Sequence, residues 1–331
     1  MFYCLFSVLI GKMELKNQTA ILEFHLIGLT NNHELDPIIY SIFLSIYLVT
    51  ILGNLIILLA ICSDSQLHSP MYFFLSILSI NDICLSTSTI PKMLVNIQTQ
   101  KDTINYIQCI SQLFFVSVFS GMENFLLAVM AYDGYVAICK PLRYKVTMNP
   151  CCCVLFVLLC LFLSIIDALL HSLMVLHLSF CIDLEIPNFF CELAQILKLS
   201  CSDTFINNLL ILIAVFIFAG GAFCGVIFSY IYILFSVLRL TSQRGKNKAF
   251  STCTSHLFVV SLFYGTGLGV YLNSSVTDSP RKLAVASVMY TVVPQMLNPF
   301  IYSLRNRDIK KSFGKFTGWI FYVLPCVHCH P

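Results

Sequence analysis

The chain has 331 residues, of which 58% are hydrophobic and only 11% charged, with a mean hydropathy of +0.86. Soluble domains carry about 25% charged residues, and none of this size hides so much apolar surface, so lipid is the solvent over much of the chain. The net charge of +3 decides little by itself, and no nucleic-acid partner is expected.

Residues 1–12, MFYCLFSVLIGK, are apolar yet lack the charged n-region and small-residue cleavage site of a signal peptide. They read as an extension upstream of a second start at Met13. Asn17-Gln18-Thr19 is a glycosylation acceptor within an N-terminal segment, 1–37. Span 1 is expected at about 38–62 and span 2 at about 71–95, with Pro70 suited to a first helical turn. Span 3 follows at about 107–132 and span 4 at about 153–173. A loop of about thirty residues then intervenes, too long for a mere connector. Spans 5, 6 and 7 are expected at about 207–238, 250–271 and 283–304. These runs are continuously apolar and do not alternate with period two, which selects helices over a barrel. The predicted fold is an all-α membrane protein, a seven-transmembrane helix bundle over 38–304. Residues 305–331 form a tail whose 306–316 portion reads as a short basic amphipathic helix along the interface.

Twelve of the nineteen basic residues fall on one side of this bundle. They are Lys140, Arg143 and Lys145 after span 3, Arg239, Arg244, Lys246 and Lys248 after span 5, and five more in the tail. The basic side is the cytosolic one, so the N-terminus is expected outside.

Ionisable groups at bilayer depth cost about 2.5–3.5 kcal/mol on insertion scales, so each is a functional candidate. Asp82 sits near the middle of span 2 and Glu123 midway along span 3, neither with a basic intramembrane partner. Two such carboxylates can share a proton, hold water or bind a cation such as Na⁺. Asn54 in span 1 and Asn298 in span 7 are candidates to join them, because buried amides seek partners across helices. Asp167 in span 4 has no evident role. Pro294 and Pro299 fall inside span 7, where each removes a backbone donor and favours a kink.

Most of the sixteen cysteines lie in apolar runs as packing residues. Cys181, Cys191 and Cys201 instead recur every ten residues in the long loop, and Cys109 sits at the expected outer end of span 3. An oxidising outside permits disulfides, and spacing leaves three pairings open. Any bond to Cys109 would pin the loop over the bundle as a lid. Cys326, His328, Cys329 and His330 in the tail do not amount to an expected metal site.

Several motifs stand together. Span 1 carries Gly53-Asn54; Leu67-His68-Ser69-Pro70-Met71-Tyr72 precedes Leu78-Ser79-Ile80-Asn81-Asp82. Span 3 closes with Met130-Ala131-Tyr132-Asp133-Gly134-Tyr135-Val136-Ala137-Ile138-Cys139, and span 5 has Ser229-Tyr230. Span 6 opens with Lys248-Ala249-Phe250-Ser251-Thr252-Cys253, and span 7 closes with Pro294-Gln295-Met296-Leu297-Asn298-Pro299-Phe300-Ile301-Tyr302. Over about 17–307 the sequence resembles the olfactory receptors, a branch of the rhodopsin-like G-protein-coupled receptors.

The resemblance implies a multi-pass plasma-membrane protein whose partners are an odorant, membrane lipid and a heterotrimeric G protein of the olfactory stimulatory type, raising cAMP. It implies disulfides Cys109–Cys191 and Cys181–Cys201. Carried over by position, the ligand-lining residues are Val116, Ser117, Ser120 and Gly121 on span 3, with Tyr264, Gly267 and Leu268 on span 6. Asp133, Gly134, Tyr135, Tyr230 and Lys248 fall at the G-protein-coupling positions. No carboxylate precedes the deep Glu123 on the ligand-facing part of span 3, so a small, mostly neutral volatile ligand fits better than an amine.

The sequence departs from the family in two places. Gly134 stands where the family has Arg, removing the charge that pairs with Asp133 at rest and reaches the G protein when active. Leu161 stands where the family usually has Trp. A signalling-impaired relic is therefore the alternative expectation. An ion path through Asp82 and Glu123 is a weaker one, since transporters tend to show internal repeats and none appears here. An enzyme is not expected: His171 and His256 lie far from both acids, and no nucleophile–base or metal constellation forms.

Overall fold

The structure, a computed structural model, describes residues 23–27, 33–180, 184–239, 243–276, 280–305 and 309. Its long helices are α1 (Asp36–Ser63), α2 (Pro70–Thr99), α3 (Tyr106–Cys139) and α4 (Pro150–Val175). They continue with α5 (Phe205–Arg239), α6 (Gln243–Val276) and α7, in two pieces, Pro280–Thr291 and Val293–Arg305. Among the described residues six of these helices are long and apolar enough to cross a membrane. The 34-residue α6 is the seventh of the bundle.

Local chemistry explains where the helices start. Asn105 and Asn149 cap α3 and α4, their side-chain oxygens accepting from the N–H of Gln108 at 2.8 Å and of Cys152 at 2.9 Å. Pro70 occupies the first turn of α2, as expected. The helices overrun the apolar runs that announced them: α3 continues to Cys139 and α2 to Thr99, through Pro91. Hydropathy marks only the stretch bathed in lipid, whereas backbone hydrogen bonding carries the helix on beyond it.

Helix α3 is the hub, packing on α2, α4, α5 and α6. Over their apolar windows α2 and α3 are 56% buried and α5 only 11%, so α2 and α3 build the interior while α5 turns most of its side chains to lipid. Glycines allow the closest approaches. A Cβ on Gly53 of α1 would lie 3.0 Å from Pro299 of α7, and one on Gly121 of α3 would lie 3.1 Å from Ser164 Oγ of α4. The kink expected of span 7 appears as the break at Val292, with Pro294 in the first turn that follows.

One end of the bundle carries a small sheet. Strand β1 (Glu23–Leu26) pairs antiparallel with β2 (Thr103–Asn105) and parallel with β3 (Glu185–Ile186). The N-terminal segment is thus the central strand between the α2–α3 and α4–α5 loops, clamped by His25 N–H to Leu184 O at 2.9 Å and Leu26 N–H to Asp102 O at 2.8 Å. Phe24, fully buried, packs on Tyr106 and Phe180 beneath it. The other end carries the basic loops. The helix expected at 306–316 lies outside the described residues apart from Ile309, which is buried in the core at the basic end.

Candidate functional site

The polar core forms where α1, α2, α3 and α7 meet. Asn298 donates to Asp82 Oδ2 at 3.0 Å, and Gln295 donates to Glu123 Oε2 at 3.0 Å. Asn54 donates to the carbonyls of Thr50 at 3.0 Å and Gln295 at 3.5 Å. All five side chains are essentially inaccessible. Asp82 and Glu123 lie within electrostatic reach of each other, and neither forms an ion pair among the described residues. Each group in this cluster keeps one oxygen buried without a hydrogen-bond partner: Asp82 Oδ1, Glu123 Oε1, Asn54 Oδ1, Gln295 Oε1 and Asn298 Oδ1. An unpaired buried acceptor is expensive. Five unpartnered buried oxygens in one cluster, with no opposing cation among the described residues, make an acceptor-rich cage that suits a proton, water or a hard monovalent ion. The four residues expected from sequence are thus brought together, and Gln295 is the member that reasoning missed.

The loop before α5 closes the sheet end. Cys191 is disulfide-bonded to Cys109 at the start of α3. Gln112, one turn below, accepts from Cys191 N–H at 3.0 Å and donates to Ser88 O of α2 at 2.9 Å. On the other side Asn188 donates to Glu192 Oε2 at 2.8 Å and to Ser287 Oγ of α7 at 2.9 Å. Burial pushes the Glu192 carboxyl above its ordinary range, against the pull of hydrogen bonds from Asn188, Tyr290 and Ser287 and of the Lys198 charge. The loop is therefore stapled to α3 and to α7. Cys201 is also disulfide-bonded; Cys181 lies outside the described residues, as does Asn17.

Beneath this lid Val116 is buried with Phe189, Phe190 and Val292. Ser117 and Ser120 are half-buried. Tyr264 of α6 is half-buried between Phe223 and Phe263, and its hydroxyl donates to Asn124 Oδ1 at 2.7 Å. Gly267 and Leu268 are exposed, with nothing near a Cβ on Gly267. Gly121 faces Ser164 in the α3–α4 seam. Its missing side chain serves helix packing there, a contact the sequence did not announce. Asp167, without a role from sequence, lies 3.4 Å from His171 one turn on.

At the basic end Asp133 accepts from the Tyr144 hydroxyl at 2.9 Å, in the helical turn Tyr144–Thr147. Burial and the Asp133 charge push the Tyr144 phenol well above its ordinary range, so it stays a donor. A Cβ on Gly134 would meet only Ile233 Cδ1 at 3.7 Å. Tyr135 packs on Tyr232, with Lys140 5.2 Å over its ring. Tyr230 pairs with His256 Nδ1 at 2.7 Å. Lys248 falls in α6, its side chain outside the description.

The family model for the olfactory receptor matches residues 43–317. Human olfactory receptor 7G2 is 64% identical over 317 residues, 96% of this chain and 98% of its own length. Human olfactory receptor 7G3 is 60% identical, covering 90% of this chain and 96% of its own. The canine olfactory receptor-like protein OLF4 is 55% identical over 92% of this chain and 98% of its own. Among solved structures, squid rhodopsin superposes with a TM-score of 0.69 at 19% identity, over 86% of this chain and 87% of its own. That likeness carries the seven-helix fold. The chain belongs to the olfactory receptor family, a multi-pass plasma-membrane receptor and not an enzyme.

Proposed function

We propose that the protein is an odorant receptor, taking a small, mostly neutral volatile molecule at the sheet end and signalling through a stimulatory olfactory-type G protein that raises cAMP. The carrying observation is the lid: a loop stapled to α3 by Cys109–Cys191 and to α7 by Asn188–Ser287, with its Phe189 and Phe190 packed beside Val116. The sheet end is then extracellular, in keeping with its disulfide and with Lys140, Arg143, Lys145 and Arg239 at the opposite end.

Gly134 favours a second reading, in which the receptor binds but couples weakly. Asp133 is held by a phenol instead of a guanidinium, and position 134 offers no side chain to a partner protein. Only Ile233 stands near a Cβ at this position, at ordinary van der Waals distance, so a side chain can start there without displacing backbone. Odorant-evoked cAMP, measured in cells for the natural chain and Gly134→Arg, separates the two. A tagged N-terminus stained on intact cells reports delivery and orientation. Weak coupling predicts a response at least tenfold larger in Gly134→Arg; equal, robust responses leave only the fully coupled receptor. Staining only after permeabilisation, in cells whose surface receptor is established by a C-terminal tag recovered after surface biotinylation, would reverse the proposed orientation.

The acceptor cage further supports a Na⁺ ion held by Asp82 and Glu123 with Asn298, Gln295 and Asn54.

A further inference from the structure

Residue 124 attracts no attention in the sequence, yet three helices meet on it. Asn124 is 6% exposed in the middle of α3. Its Nδ2 donates to the Phe218 carbonyl of α5 at 3.3 Å, and its Oδ1 accepts the Tyr264 hydroxyl of α6 at 2.7 Å. Phe218 lies inside a π-helical segment, Val215–Gly220, that interrupts α5. Such a bulge shifts carbonyls out of the regular ladder, and in lipid an unmet carbonyl has no water to turn to. The amide of Asn124 meets it. The next residue, Phe125, sets its ring edge-on against Phe218 at 5.8 Å. The preceding one, Glu123, accepts from Gln295 of α7. Two consecutive residues of α3 thereby hold α5, α6 and α7.

We propose that Asn124 is a positioning and specificity-determining residue: it aims the Tyr264 hydroxyl across the floor of the odorant site and ties its direction to the bulge in α5. This rests on the odorant-receptor reading and adds a ligand class to it. The hydroxyl has one proton to give, and at rest Asn124 has it. An odorant with a carbonyl, ester or ether oxygen beside Tyr264 competes for that proton and releases α6 from α3. A hydrocarbon of the same shape has no acceptor and leaves the bond closed. Since Asn124 also holds Phe218, α5 feels the exchange.

Tyr264→Phe removes one oxygen and keeps the ring contacts with Phe223 and Phe263, so it is the mild probe. Asn124→Leu removes both hydrogen bonds at similar volume. The full chain in lipid nanodiscs, spin-labelled at the basic ends of α3 and α6, is read by pulsed electron–electron distance measurement without odorant or G protein. Each substitution is expected to raise the longer-distance population roughly fivefold, the shift one net hydrogen bond commands. The double variant should shift no further than Asn124→Leu alone, because that change already breaks the bond Tyr264→Phe removes. Amide exchange across 215–223 should quicken in Asn124→Leu and stay unchanged in Tyr264→Phe. Additive shifts, or an unmoved distance in Tyr264→Phe, overturn the proposal. A protein that answers no odorant leaves this readout intact, so loss of the odorant reading and loss of the Asn124 assignment are separable. For the ligand class, octanal and octane are compared on the same labelled protein: octanal should lengthen the distance in the natural chain and not in Tyr264→Phe. An equal response to both molecules overturns it.

Discussion

Gly121 shows how a single position changes meaning once its neighbour is known. In the sequence it sits among Ser117, Ser120 and Glu123 and is carried over by resemblance as one of the ligand-lining positions. In the bundle a Cβ there would lie 3.1 Å from Ser164 Oγ and 3.3 Å from Ser164 Cβ. Gly121→Leu is expected to force α3 and α4 apart and destabilise the receptor by about 1–3 kcal/mol, as overpacking does. Gly225→Leu, at a lipid-facing position with nothing within 4 Å, is the control. It should stabilise slightly through helix propensity, about 1 kcal/mol at most. Thermal unfolding in detergent checks both: a drop of several degrees confined to Gly121→Leu is the expected pattern. Gly134 is the opposite case. Its departure was visible in the sequence, and the structure adds that Tyr144 supplies the partner Asp133 would otherwise lack.

At the scale of elements, Glu192 is the group expected to make the lid's docking sensitive to pH. Its carboxyl is pushed above the ordinary value of 4.5 by burial in the docked loop. A group whose docked value is raised holds the loop best in its protonated form. That contribution is complete below about pH 4.5 and declines as pH rises through the docked value. Amide exchange across 186–193, corrected for its intrinsic pH dependence, should therefore show stronger protection at pH 5 than at pH 8. Glu192→Gln, neutral throughout, should remove most of that difference; an unchanged pH response would exclude Glu192 as its source. The cysteine spacing foretold a lid but left its pairing open, and nothing local announced Asn188, Gln112 or Ser287 as its other anchors. Gln112 meets Cys191 across 79 positions of sequence and Asn188 meets Ser287 across 99. Such contacts depend on which way each helix is turned.

At the scale of the molecule, the cage of Asp82, Glu123, Asn54, Gln295 and Asn298 joins four helices through one cluster. If Na⁺ fills it, the folded receptor binds an ion that the unfolded chain does not, and stability rises with Na⁺ concentration. Melting temperature at constant ionic strength should then climb as Na⁺ replaces choline, by about 2.7 kcal/mol of stabilisation at a hundred times the dissociation constant. Asp82→Asn should abolish the Na⁺ dependence. Equal melting in Na⁺ and choline would leave the cage to water and a shared proton.

The sequence by itself determined the bundle, because crossing lipid is a local demand: about twenty apolar residues, few charges and every backbone group bonded within its own segment. Those properties belong to consecutive residues and are read without knowing any partner. It also determined the family, through motifs spread from Gly53 to Tyr302, and exposed the missing arginine at 134. Only the tertiary structure decided which polar groups face one another. Helix rotation and tilt are set by packing, and one residue's turn of about 100° separates a lipid-facing side chain from a buried one. That is why Asp82 and Glu123 were legible as costly, while Gln295 as their companion, Asn124 as the joint of three helices and Gly121 as a seam became apparent only when the helices were assembled.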